Sequence, residues 1–296
     1  MEHAGAQAVS RRPSGAGPAP LSPDQERLWF LQTLDPGSPA YNLPAALRLR
    51  GELDRVALAR SLREVVRRQE ALRTGIDFGE GEAPVLRTLS VAEVARLAWI
   101  DLSGLPASAT HRETARLAAA HARRPFGLSL GPLLRAALVD RGVDETQGGA
   151  PPRCHELLLS VHHVVADGWS IGIFHQELQA VYTARVEGLP PELPELPVRY
   201  GDFTAWQVER LRSGANEPSI EYWRERLRDA PVAELPADRP RPAEPSWRGE
   251  RLPLALGPDL SDALRKLATA EGTTLFAALL AGYQLLVARA TGEDDV

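Results

Sequence analysis

The chain has 296 residues, 44% hydrophobic and 25% charged, enough for one large globular domain or two smaller ones. A net charge of -5 leaves no electrostatic footprint for nucleic acid or an anionic membrane as partner. A single cysteine, Cys154, excludes an internal disulfide and a multi-cysteine metal site, and it fits a reducing cytoplasm.

Residues Met1 to Pro20 are rich in Ala, Gly, Pro and Ser and lack the apolar core of a signal peptide, so they read as a disordered leader. Ser22-Pro23-Asp24-Gln25-Glu26 predicts a helix start, with Ser22 as N-cap and Pro23 in the first turn. That helix ends at Asp35-Pro36-Gly37. A strand is expected over Leu43–Leu49, then a helix capped by Asp54 with Val56, Leu58, Leu62, Val65 and Val66 on one stripe. Strands are expected over Ala71–Phe78, Pro84–Leu89 and Leu133–Asp140, and a helix over His111–Arg123. A polar turn, Asp144–Arg153, precedes a buried strand over Glu156–Val165, which a helix over Trp169–Val186 follows. The Pro-rich run from Gly188 to Pro197 reads as a linker and as the internal boundary. Beyond it come helices over Asp202–Leu211 and Ser219–Leu227, a Pro-rich crossing to Ser246, a strand over Glu250–Leu256, and helices over Pro258–Ala270 and Thr274–Arg289. The last run is too short and too polar to span a bilayer. Alternating strands and helices indicate an α/β layered fold.

Chemistry concentrates in His162-His163-Val-Val-Ala-Asp167-Gly168-Trp169-Ser170. Neighbouring side chains on a strand point to opposite faces, so the two histidines cannot work as one unit. One faces a cavity and the other the interior. Imidazole is the group best suited to take a proton near neutral pH. Asp167 can fix the turn by hydrogen bonds or an ion pair, and Gly168 can take backbone angles closed to other residues. Gly168-Trp-Ser170-Ile-Gly172 also matches the nucleophile elbow G-x-S-x-G. No histidine follows His175, so no Ser-acid-His order can be completed, and Ser170 reads as a helix-start residue. His111 and His121 are expected at the surface, His155 as structural, and Trp29, Trp169, Trp206, Tyr222 and Trp223 as core packing.

The His162–Ser170 segment resembles the H-H-x-x-x-D-G core of the condensation-domain superfamily, which includes chloramphenicol acetyltransferase-like acyltransferases. Further segments in order strengthen the resemblance: Leu21–Leu31 running on to Pro36–Pro44, Arg67–Thr74, Tyr200–Trp206, Glu221–Trp223 and Thr273–Phe276. The pattern is most similar to condensation domains of non-ribosomal peptide synthetases that join two L-amino acyl units. Asp24 stands where the family usually has Ala, Gln69 where it usually has His, and Ile76 where it usually has Phe.

The resemblance implies a chloramphenicol acetyltransferase-like lobe over 21–189, a linker over 190–197, and part of a second similar lobe over 198–296. The whole is an incomplete V-shaped pair, with the chain truncated at its C-terminal end. It implies amide formation between acyl and aminoacyl thioesters carried on the phosphopantetheine arms of upstream and downstream peptidyl carrier domains. No cofactor is bound directly, and an adenylation domain is expected in the same full-length polypeptide. This belongs to secondary-metabolite and antibiotic biosynthesis. His163 is expected to accept the amine's proton or to hold the amine in its attacking geometry. His162 and Asp167 complete the motif, Gly168 offers a backbone N–H to the oxyanion, and Asp167 is expected to pair with Arg68 or Arg73. Arg68, Arg73 and Trp169 are expected as structural support. The alternatives are a non-catalytic, carrier-binding fragment and a stand-alone acyltransferase using a diffusible acceptor.

Overall fold

The computed structural model describes residues 8–13, 15–78, 83–129, 131–143, 152–231, 234–240, 242–243 and 252–295. The chain divides into two compact units, Met1–Ala215 and Asn216–Val296. The first unit carries, in order, β1 (Ala19–Pro20), α1 (Pro23–Leu34), β2 (Asn42–Arg50), α2 (Arg55–Arg68), a 3-10 turn (Glu70–Arg73), β3 (Thr74–Phe78), β4 (Pro84–Thr88), α3 (Val91–Val94), β5 (Leu97–Asp101), α4 (Ala107–Arg123), β6 (Leu134–Val143), β7 (Arg153–His162), α5 (Gly168–Val186) and α6 (Tyr200–Arg212). The second unit carries α7 (Glu217–Arg226), α8 (Pro258–Ala270) and α9 (Leu275–Thr291).

Four strands form the main sheet in the order β2-β7-β6-β5, antiparallel except for the β5–β6 pair. Helices cover both faces. Leu157, Leu159 and Val161 of β7 join Leu58, Leu62 and Val65 of α2 and Phe174 and Leu178 of α5 in one core. Leu158, with Ala137 and Val139 of β6, packs on the other side against Leu117 and Ala118 of α4. A strand buried on both faces needs the continuous apolar run that β7 has. A second sheet, β1-β4-β3, lies beside it.

Caps explain the helix starts. The Ser22 hydroxyl accepts from the Gln25 amide while the Gln25 side chain accepts from the Ser22 amide, a reciprocal box that satisfies two donors. The Asp54 carboxylate accepts from the amides of Val56 and Ala57.

Several expectations are corrected. The strand expected over Glu156–Val165 ends at His162, because the amides of Val164 and Val165 turn back onto His162 itself. Ala71–Arg73 is a 3-10 turn, anchored by the Thr74 hydroxyl donating to the Glu70 carbonyl. No strand forms over 252–256, and 250–251 lie outside the described residues, as does 144–151 of the expected polar turn.

Of the expected disordered leader, 1–7 and 14 lie outside the described residues, but the rest is tied down as a strap. The Arg11 guanidinium donates to the carbonyls of Leu196 and Pro197, the Arg12 amide donates to Asp202, and β1 pairs with β4. The Pro-rich segment supplies carbonyls that its own prolines cannot bond, and the Arg11 guanidinium supplies donors to two of them. The division between units therefore falls after Ala215, not at the Pro-rich run over 190–197.

In the second unit α8 packs against α9, Thr274 caps α9 through the Ala277 amide, and Gly292 closes it in the left-handed conformation at φ 79. No single helix among the described residues is long and apolar enough to cross a membrane.

Candidate functional site

The two histidines part at the end of β7. His162 shares the face of Leu158 and Ser160 toward α4 and is 1% exposed, whereas the His163 side chain is exposed. Each is held by the backbone of a neighbouring segment. The His162 amide donates to the Leu133 carbonyl at 3.0 Å, and the His163 amide donates to the Tyr41 carbonyl at 2.8 Å. The His162 ring accepts from the Val164 amide at Nδ1 (3.1 Å), lies 3.4 Å from Gln32 Oε1 at Nε2, and stacks edge-on with Phe126. Burial, with His163 alongside, pushes its pKa down from 6.5 to about 4, so His162 is neutral.

His163 borders a cavity of about 680 Å³ together with Gln25, Leu28, Leu72, Ile171, Phe174 and Phe203. At its back Glu177 accepts from Arg68 (2.8 Å) and Gln69 (2.9 Å), tying α5 to the end of α2, and Arg68 also donates to the Pro194 carbonyl. The expected pairing of Asp167 with Arg68 or Arg73 is therefore not formed. Arg68 is bound to Glu177, Arg73 to Glu70, and Asp167 serves as the N-cap of α5. Its carboxylate accepts from the Ser170 amide (2.8 Å) and hydroxyl (2.6 Å), and these bonds hold its pKa below the usual carboxylate range. Ser170 is thus a helix-start residue, as its spacing indicated.

Two further expectations fail. Gly168 is not among the glycines with positive φ, and a Cβ there would meet nothing within 4 Å. Its lack of a side chain leaves open space at the start of α5 instead of permitting an unusual backbone. Trp169 is 81% exposed, since the first turn of α5 lies past the end of the sheet, so it is neither core nor structural support. Tyr222 and Trp223 are also exposed, while Trp29 is half-buried and packs edge-on against Phe78.

His111 is exposed, but His121 is half-buried, its ring near the Arg135 carbonyl, and burial lowers its pKa. His155 is buried beside Asp140, as expected of a structural residue, and Cys154 is buried. Among the described residues no cluster of three or more His, Cys, Asp or Glu could hold a metal ion.

Sequence reasoning missed Gln25 and Gln32. Both are buried on the face of α1 that also carries Leu28, and Gln25 donates to the Val164 carbonyl at 2.9 Å. Their signal is the helical spacing itself, which sets two amides in an otherwise apolar stripe.

A buried, neutral histidine followed by an exposed one at a cavity, on a helix-covered sheet, defines the histidine-bearing lobe of the chloramphenicol acetyltransferase-like class. The condensation-domain profile matches residues 16–296, and the chain belongs to the condensation-domain family. The phosphinothricin tripeptide synthetase PhsC of Streptomyces viridochromogenes is 41% identical over 292 residues, covering 98% of this chain and 26% of that protein. The first condensation domain of the CDA synthetase superposes with a TM-score of 0.71 at 26% identity, covering 95% of this chain and 64% of that one. The X-domain from teicoplanin biosynthesis, solved in complex with OxyB, gives 0.78 at 29% identity, covering 97% and 60%. The chain thus spans under two thirds of these solved domains and a still smaller share of the synthetase.

Proposed function

We propose that this chain supplies the histidine-bearing lobe of a domain that forms an amide between two carrier-bound thioesters in non-ribosomal peptide synthesis. The second compact unit, Asn216–Val296, then contributes part of a second similar lobe. The observation that carries this reading is the division of labour between the histidines: His162 is buried and neutral, and His163 alone is presented to solvent beside the cavity. The amine of the downstream aminoacyl thioester attacks the upstream thioester carbonyl. The C–N bond forms, the C–S bond breaks, and the thiol leaves with a proton. His163 accepts the amine's proton or holds the amine in its attacking geometry. Holding both arms in register supplies much of the acceleration. In this reading the backbone N–H of Gly168 serves the developing oxyanion.

No cofactor is bound directly in this reading; the phosphopantetheine arms belong to partner carrier domains, with an adenylation domain in the same polypeptide and the cytoplasm as setting. Supplying the full-length enzyme with loaded upstream and downstream carriers should give the new amide on the downstream arm, read by mass spectrometry. A second reading, an interaction module without turnover, draws on the likeness to the X-domain solved with OxyB. Carrier binding without product would favour it.

A further inference from the structure

We infer that Gln32 is a positioning residue for His163, acting through His162 and through the loop after α1. Gln32 is 4% exposed, and each end of its amide is committed. Its Nε2 lies within hydrogen-bond distance of three carbonyls, those of Asp35 (3.3 Å), Pro36 (3.2 Å) and Ser38 (3.3 Å). An oxygen could not occupy that position among three acceptors, so the amide orientation is fixed by its surroundings. Gln32 Oε1 therefore faces His162, and as an acceptor it requires a proton on Nε2.

The other nitrogen gives an independent constraint. His162 Nδ1 accepts from the Val164 amide and so carries no proton. Both contacts select one form of the ring, the neutral Nε2–H tautomer.

The consequence reaches His163 by two routes. On one side, the His162–Val164 bond shapes the turn that presents His163. On the other, the loop held by Gln32 leads directly to Tyr41, whose carbonyl accepts from the His163 amide at 2.8 Å. One buried side chain thus fixes both walls of the His163 backbone. The inference rests on His163 being the working imidazole. Its primary test reads His162 alone and does not depend on turnover.

The test is nitrogen NMR of the imidazoles in the full chain, assigned with His162→Gln. The unsubstituted chain should show His162 as the Nε2–H tautomer, unchanged across neutral pH. Gln32→Met, similar in size without an amide, should shift the Nε2 resonance of His162 by removing its acceptor, while the Val164 contact keeps the proton on Nε2. Amide formation by the full-length enzyme carrying it should fall about a hundredfold in kcat with little change in KM, the cost of a misplaced reacting group. Gln32→Asn provides a second variant should Gln32→Met fold poorly: an amide drawn back by one methylene should leave Nε2 without its acceptor and shift its resonance in the same direction. The inference is overturned if His162 shows the Nδ1–H tautomer, or if its nitrogen spectrum is unchanged in Gln32→Met and in Gln32→Asn. A shifted His162 spectrum with undiminished turnover would overturn the positioning role, separating the hydrogen bond from the work of His163.

Discussion

At the scale of single residues, a buried imidazole with both nitrogens committed resists a second proton, and the pH dependence of stability follows. Below pH 6.5 the unfolded chain takes up a proton at His162 that the folded chain refuses until about pH 4. The unfolded state binds more protons across that window, so stability falls as the pH falls, by at most about 3 kcal/mol from this group. Burial also lowers the pKa of His121, His155 and His175, which act in the same direction. Denaturant unfolding of the unsubstituted chain and His162→Gln at pH about 7 and about 4.5 isolates the His162 share. The glutamine retains an N–H for Gln32 and a carbonyl for Val164, so His162→Gln should lose less stability on acidification. Equal losses would show that His162 titrates normally in the fold. The sequence marked His162 and His163 as a pair on opposite faces. It did not say which was buried, because that depends on α1, α4 and Tyr41, all distant along the chain.

At the scale of elements, the cap at Asp167 links helix stability to the site. Removing the carboxylate in Asp167→Ala should cost about 1 kcal/mol, as for other N-cap losses, and Asp167→Asn should retain most of it. Thermal unfolding of both variants checks this, and equal destabilisation would show that the charge, not the cap geometry, matters. Elements with local signals were legible. Ser22 and Asp54 announce α1 and α2 by their caps, and the residue bounds of α8 coincide with the expected Pro258–Ala270. Elements defined by their partners were not. β1 has two residues and exists only because β4 lies beside it. β5, five residues with mixed exposure, gains its place from parallel pairing with β6, which no local period records. The end of β7 was misplaced for a local reason instead, since His162 captures the amides two and three residues on, a turn that the continuous apolar run hides.

At the scale of the whole molecule, the N-terminal strap and the Pro-rich run over 190–197 bind one another and the body of the first unit. Arg11 holds Leu196 and Pro197, Arg12 and Arg199 share Asp202, and Arg68 holds Pro194. A chain ending at Ala215 should therefore melt well above one ending at Leu189, which loses α6 and the partners of Arg11. Equal melting temperatures would place the boundary at the Pro-rich run after all. The motif order from Leu21 to Phe276 made the family legible without any structure. The anchored strap was invisible, because its composition is that of a free tail and only its partners order it.

The measurement closest to the central claim is single-turnover amide formation by the full-length enzyme carrying His163→Ala, with both carriers loaded and folding checked by melting temperature. The exposed imidazole leaves stability nearly unchanged when removed, and the rate should fall about 10²–10⁴-fold, the range for loss of a positioned acid–base group. Amide formation at the unsubstituted rate in a folded enzyme would contradict the assignment of His163.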